Sequence, residues 1–310
     1  MIRITSMLKE TIISASRILI YIIPVFLSWQ SAVLAERHAG IDEIYQPYAE
    51  LLDSYHIKGT ADKNSGLVTA FDYKEALKDP ETKQIIREQK NNLKTFDTES
   101  LKSKERALSF WINAYNFFMI AHILDNPKQD GDLIDSVKDY GNFINPYKVF
   151  DKAKFNIGGK QYSLSTIEKE ILLGKKYQNK GWKDARVHFA VNCASVGCPP
   201  LRQTIYTPDN INSLLTQNTR LALQTSRHLR IEGDTLYLTE LFDWYKNDFV
   251  EDAGSIRSFI KQYTYKERHD AIEDATSIRY IDYDWALNRP SNFSDITRRT
   301  TSRQRQDDKG

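Results

Sequence analysis

The chain has only two cysteines in 310 residues. It has no second cysteine pair and no His-x-x-x-His spacing that would complete a tetrahedral shell around them. No metal site is expected, and no cofactor. A glycine-rich strand-to-helix fingerprint with a following Lys-Ser/Thr is also missing, so Gly158-Gly159 is read as a turn and not as a phosphate loop. Charge of one sign is scarce too, with 43 Lys and Arg against 41 Asp and Glu. Without Arg3, Lys9, Arg17 and Glu10 of the N-terminal segment, the net +2 falls to about zero. A nucleic-acid binder normally carries a basic surplus on one face, so no nucleic-acid partner is expected. No internal repeat is visible, and after residue 35 no apolar run has the roughly 20 charge-free residues that a membrane span needs.

The N-terminus carries a processing pattern. Arg3, Lys9 and Arg17 form a basic start, Ile18 to Trp29 an apolar core interrupted by Pro24, and Ser31-Ala-Val-Leu-Ala35 a small-residue cleavage site. A signal peptide over residues 1–35 is the expectation, with an uncleaved anchor as the alternative. The mature protein is then exported, periplasmic or secreted, with no stable membrane span after cleavage. In an oxidising compartment a cysteine pair favours a disulfide. The remaining residues suffice for one large domain, and 17 Tyr and 14 Phe supply a real core.

Ile41 to Tyr55 has helical periodicity, Leu67 to Tyr73 reads as extended, and Pro80 opens a lysine-rich helix to about Phe96. These segments make residues 36–96 an N-terminal helical part of the domain. Residues 97–290 form its core, and from 291 to 310 a polar, arginine-rich disordered tail is predicted. From Ala107 to Leu124 the chain is almost continuously apolar, as a buried central helix requires. Arg106, Ser109, Asn113 and Asn116 form a polar stripe along it, facing a polar cavity or a neighbouring backbone that needs hydrogen bonds. Hairpins are predicted at 154–164 and 228–238, both with glycine turns. Ser165-Thr-Ile-Glu168 fits a capping box, Gly174 a helix end, Ser255 to Tyr263 a helix, and Ile278 to Tyr283 a terminal strand. The fold class expected is α+β, a single domain whose buried central helix packs on a small, mostly antiparallel sheet.

Both cysteines sit in Arg186-Val-His-Phe-Ala-Val-Asn-Cys-Ala-Ser-Val-Gly-Cys-Pro-Pro200. Alternation makes this a strand with His188, Ala190 and Asn192 on one face, delivering Cys193 into a loop. Cys193 and Cys198 are read first as a disulfide, and alternatively as a nucleophilic thiol with His188 as base. Asn113, Asn116 or Asp243 would orient the histidine. Arg202 and Arg106 are candidates for an anionic group, and salt bridges are the competing role. Asp243 and Asp248, five apart, do not form a paired carboxylate site on a helix. Trp244, Tyr245 and Phe249 are read as core.

Four blocks in order carry a resemblance. They are Ser109-Phe-Trp-Ile-Asn-Ala-Tyr-Asn116; Phe155-Asn-Ile-Gly-Gly159 with Ser163 to Leu172; Val187 to Cys193 through Cys198-Pro-Pro-Leu-Arg202; and Leu241-Phe-Asp-Trp-Tyr-Lys-Asn-Asp-Phe249. Together they resemble the family catalogued as domain of unknown function 547, in an exported, bacterial-type member, over roughly Lys102 to Phe249. The resemblance implies a family without an assigned activity. Two functions therefore follow from the residues. One is an exported module that binds a small ligand or protein in a pocket between the central helix and the cysteine loop, through Arg106, Ser109, Asn113, Asn116, Asn192 and Arg202. The other is a Cys-His hydrolase or acyl-transferase using Cys193 or Cys198 with His188.

Overall fold

The computed structural model describes residues 39–59, 66–128, 132–293 and 296. The chain divides into residues 1–40 and a unit of residues 41–310. The expected signal peptide and most of the expected tail lie outside the described residues.

After a short turn at Ile41–Ile44, helix α1 (Gln46–Tyr55) begins with Pro47 in its first turn, where a missing N–H costs no helical hydrogen bond. Strand β1 (His56–Lys58) pairs antiparallel with β2 (Thr69–Phe71). Helix α2 (Pro80–Thr95) is capped by Asp79, whose carboxylate accepts the Glu81 N–H. The Gln89 amide ties α2 to the N-terminal helices, accepting from Tyr48 N (3.0 Å) and donating to Ile44 O (3.0 Å).

Helix α3 (Lys104–Asp125) starts at Ser103, whose hydroxyl accepts the Arg106 N–H, and every residue from Ala107 to Ala121 is buried. Its aromatic residues engage neighbours on several sides. Phe110 stacks on Phe96 (4.2 Å between centroids), Phe117 meets Tyr48 (5.7 Å) and Phe118 stacks on Phe155 (4.5 Å). Phe155 belongs to the hairpin of β3 (Phe155–Ile157) and β4 (Lys160–Tyr162). Its turn residues Gly158 and Gly159 have φ of +57° and +76°, and a Cβ on Gly158 would lie 2.7 Å from Phe96 O. Among the described residues α3 is the one helix long and apolar enough to cross a membrane, and 94% of that stretch is buried inside the fold. Its apolar length is that of a core helix.

Helix α4 (Ile211–Leu223), the hairpin of β5 (Leu229–Glu232) and β6 (Thr235–Thr239), and helices α5 (Lys246–Ala253) and α6 (Ile256–Tyr263) follow. Strand β7 (Ser277–Ile281) joins the far side of β6 in parallel. The protein is thus α+β around a buried central helix, with the strands among the described residues in three small sheets that are antiparallel except for β6–β7. One hydrophobic cluster surrounds α3; a second joins Leu236, Leu238, Phe242, Phe249 and Phe259.

Several local expectations are corrected. Residues 186–192 form no strand; Ala185–Phe189 are a 3-10 turn. The buried Asp184 carboxylate closes that turn, accepting from Arg186 N (3.1 Å), Nε (2.9 Å) and Nη2 (2.7 Å). Ser165 makes no capping hydrogen bond, and Ser163 Oγ accepts the Thr166 N–H instead. The segment it opens, Thr166–Leu172, is π-helical; Gly174, expected at its end, does follow the C-cap Leu173 and also precedes the next helix, Lys175–Asn179. Pro290–Asn292 form a further turn and Phe293 is buried, so ordered chain continues past residue 290.

The two asparagines of the polar stripe on α3 face neighbouring backbone. Asn113 Nδ2 donates to Tyr206 O (2.7 Å) while its Oδ1 accepts from Tyr206 N (3.0 Å). Asn116 Nδ2 donates to Ala190 O (3.0 Å) and its Oδ1 accepts from Asn192 N (2.8 Å). Asn116→Leu leaves those two backbone groups without their partner, each at a cost of about 1–3 kcal/mol. Urea unfolding should show a loss of about 2–6 kcal/mol; an unchanged midpoint would contradict the clamp. Asp184 supplies a pH dependence. Burial pushes its carboxyl up, but the hydrogen bonds and charge of Arg186, helped by Lys104, outweigh this and hold it below the usual value. Its stabilisation is therefore complete above the unfolded value of about 3.9 and is lost as pH falls through the depressed folded value. Asp184→Asn should lower stability at neutral pH and flatten the acid limb of a stability-against-pH curve.

Candidate active site

A cavity of about 490 Å³ opens beside α3, with Tyr115, Glu168, His188, Cys193, Trp244 and Trp285 among its lining residues. The irregular segment from Asp184 to Cys198 supplies its reactive groups. Buried irregular backbone needs hydrogen-bond partners from elsewhere, and asparagines provide them here. Asn116 holds Ala190 and Asn192, and Asn218 Nδ2 donates to Phe189 O and to Pro200 O (2.8 Å). Asn192 Oδ1 accepts from Ala194 N (2.9 Å) and Asn288 Nδ2 (3.1 Å). Ala194, directly after Cys193, has a φ of +63°, a left-handed conformation uncommon for a residue with a side chain. Farther on, Val196 N and Gly197 N each donate at 2.8 Å to Ala286 O and Asp284 O, which anneals the cysteine loop to the chain after β7.

His188 is buried, and its Nε2 lies 2.8 Å from Asp248 Oδ2. The other carboxylate oxygen of Asp248 binds Lys183 Nζ at 2.8 Å, and Lys183 also pairs with Glu251. Burial pushes the Asp248 carboxyl up, but its hydrogen bonds to His188 and Lys183 prevail and hold it below the ordinary value. The carboxylate is therefore ionised at neutral pH and accepts from Nε2–H. A neutral ring then carries its lone pair on Nδ1. Nδ1 is buried and has no hydrogen-bond partner among the described residues. Tyr245 stacks on the imidazole at 4.0 Å, and its hydroxyl donates to Glu168 Oε1 (2.7 Å). Glu168, expected as a cap, is thus a buried carboxylate on the π-helical turn, a type of irregularity frequent at functional sites.

The two cysteines are free thiols with different surroundings. Cys193 is half-buried at the cavity, and Cys198 is buried. Tyr283 OH lies 3.2 Å from each sulfur. Backbone N–H groups of Cys193 (3.0 Å) and Ser195 (3.4 Å) donate to Cys198 Sγ. Burial pushes the Cys193 thiol up, but hydrogen bonds from Cys198, Tyr283 and Ser195 outweigh it, so its value falls below the ordinary one. Burial and the neighbouring Cys193 charge push Cys198 well up. The pair thus favours a thiolate at Cys193 and a thiol at Cys198.

The cavity brings His188, Cys193 and Cys198 together. The other sequence candidates do not line it. Asn113, Asn116 and Asn192 spend their amides on backbone, and Ser109 Oγ donates to Glu105 O (2.7 Å) within its own helix. Arg202 Nη2 donates to Gln217 Oε1 (3.0 Å), and Arg106 sits in the first turn of α3. The residue that orients His188 is Asp248, not Asn113, Asn116 or Asp243. Trp244 and Tyr245, read as core, line the cavity, while Phe249 is core as expected. Sequence reasoning missed Asp248, Glu168, Tyr283 and Trp285 as site residues. Two of these, Asp248 and Glu168, lay inside blocks already singled out by the resemblance.

Fold and site define an α+β protein with a thiol and a carboxylate-held histidine in one cavity. Within it, residues 98–221 match the family model described as Protein of unknown function, DUF547. The match supports the resemblance carried by the first three blocks; the fourth, Leu241 to Phe249, lies beyond the matched residues. No curated protein and no solved structure matches the chain.

The thiolate preference of Cys193 is open to direct measurement. Iodoacetamide should alkylate Cys193 of the native protein with a pH midpoint below the roughly 8.5 of a free cysteine, leaving Cys198 unmodified. Tyr283→Phe removes a hydroxyl that stabilises the thiolate and should move that midpoint upward. Equal labelling of both cysteines would contradict the asymmetry.

Proposed function

We propose that the chain is a cysteine-dependent hydrolase or acyl-transferase, with Cys193 as nucleophile, His188 as base and Asp248 as the residue that orients it. The observation that carries this is the ionised Asp248 on Nε2 of a histidine that shares a cavity with a half-buried, acidified thiol. Such a carboxylate fixes the tautomer whose free Nδ1 can take a proton, as the third member of a nucleophile-base-orienter set does. In the reaction, the Cys193 thiol passes its proton to His188 Nδ1 and its sulfur attacks a substrate carbonyl; the carbon–oxygen or carbon–nitrogen bond breaks as His188 returns that proton to the leaving group, which leaves a thioester. His188 then takes a proton from the water or acceptor that attacks the thioester, the carbon–sulfur bond breaks, and the proton goes back to Cys193 sulfur. The aromatic wall of Trp244, Tyr283 and Trp285 offers an apolar surface for the substrate.

The same cavity supports a ligand-binding module, and the two functions separate at Cys193. Binding without chemistry survives Cys193→Ser, whereas turnover does not. Export through the signal at residues 1–35 remains part of this proposal. The partner is a small molecule bearing an ester, thioester or amide.

The test uses activated esters such as p-nitrophenyl acetate and butyrate, with acid quench and peptide mass analysis. Wild type should carry the acyl group on Cys193 and turn over. His188→Asn and Asp248→Asn should slow turnover by about 10²–10⁴-fold while remaining folded. Unchanged turnover in Cys193→Ser would exclude the thiol mechanism.

A further inference from the structure

We infer that Cys193 and Cys198 form a thiol–disulfide exchange pair, Cys193 attacking and Cys198 resolving, that acts on low-molecular-weight disulfides of the glutathione type. This rests on the reading of Cys193 as the reactive thiol and adds a second chemistry at the same site, one that would control the first.

Access sets the order of attack. Both cysteines line the cavity, but Cys193 is half-buried whereas Cys198 is only 7% exposed, so an external disulfide meets the Cys193 sulfur first. The two sulfurs are close enough to share one partner, since Tyr283 OH stands 3.2 Å from each. The Cys193 N–H itself donates to Cys198 Sγ at 3.0 Å, which holds the second sulfur against the backbone of the first cysteine. Val196 and Gly197 are bonded to the chain after β7, which anchors the intervening loop, and a Cβ on Gly197 would lie 3.0 Å from Asp284 N.

The chemistry balances in two exchanges. Cys193 thiolate attacks one sulfur of RSSR; a sulfur–sulfur bond forms, the original one breaks and RS⁻ leaves. Cys198 then gives up its proton and attacks Cys193 sulfur, expelling the second RS⁻, and the released thiolates take up protons as RSH. Two protein thiols are oxidised to one disulfide, and RSSR is reduced to two RSH. The surroundings of Cys198 change in the direction this order needs. While Cys193 is a thiolate, its charge opposes ionisation of Cys198. Once Cys193 is covalently capped, that charge is gone. The N–H groups of Cys193 and Ser195 and the Tyr283 hydroxyl remain aimed at Cys198 Sγ and stabilise its thiolate. The first exchange therefore activates the second sulfur. The closed pair has no free nucleophile, so acyl transfer stops until a thiol reopens it.

The experiment treats the reduced, desalted full chain with DTNB or oxidised glutathione, then quenches in acid for thiol counting and peptide mass analysis. Wild type should release two thiols per chain and finish with Cys193 linked to Cys198. Cys198→Ser should release one and retain the mixed disulfide on Cys193, and Cys193→Ser should be unreactive while folded. The proposal is overturned if wild type stops at one released thiol, retains a stable adduct on either cysteine, or fails to react. The wild-type stoichiometry decides the point even if a variant does not fold. Ester turnover by the reduced protein is scored separately. Two-thiol release without acyl transfer leaves exchange standing and removes the hydrolase proposal; acyl transfer with one-thiol release does the reverse.

Discussion

The site depends on asparagine amides that complete the backbone of a buried segment without regular structure. From Asp184 to Cys198 the chain has few ladder bonds, yet much of it is buried. Each unpaired peptide group in that position would cost about 1–3 kcal/mol. A single primary amide donates and accepts at once, so Asn116 satisfies a carbonyl and an N–H two residues apart on the facing segment. Asn113 does the same for both backbone groups of Tyr206. A serine hydroxyl or a charged side chain at these positions would lack either the reach or the pairing of donor with acceptor. Once the segment is held, the backbones of His188 and Cys193 stand at the cavity, and Asp248 and Tyr245 set the direction of the imidazole.

The elements whose determinants are local were legible in the amino-acid sequence. The hairpin at Gly158-Gly159 requires two left-handed residues in succession, and glycine supplies them. The apolar run of α3 is legible as a buried core helix, and of the two roles open to its polar stripe, a polar cavity or a neighbouring backbone, Asn113 and Asn116 take the second. The segment around His188 was misread because alternating apolar and polar residues fit a strand, and equally a turn buried between two clusters. What decides it is the Asp184 carboxylate folding onto Arg186 and the absence, among the described residues, of a neighbouring strand for it to pair with. Asp248 is considered in the sequence only as a possible partner for Asp243, because helical geometry is applied through Leu241 to Phe249 and nothing local links it to His188, 60 residues away. The chain in fact breaks at Tyr245, between Leu241–Trp244 and α5, and this break frees Tyr245 to stack on the imidazole.

Electrostatics within the site are arranged by neighbours more than by depth. Cys193 and Cys198 lie five residues apart and share Tyr283, yet their thiols shift in opposite directions. Tyr283 itself is pushed well above its ordinary value by burial and the two sulfurs, so it stays protonated and acts as a donor throughout the ordinary pH range. On the other wall, Lys183 keeps Asp248 charged while leaving one carboxylate oxygen for His188. Each reactive group is thus flanked by one that does not titrate near neutrality.

The 3-10 turn at Ala185–Phe189 is shared between the two hydrophobic clusters. Val187 belongs to the cluster around α3, and Ala185 and Phe189 belong to the one built on Phe242, Phe249 and Phe259. His188 sits between those anchors, against Phe249 and Tyr245. Loosening of either cluster therefore withdraws one side of the support for the histidine, even if the other cluster stays folded. The histidine of the proposed chemistry thus sits where two clusters meet, so local opening of either one disassembles the site.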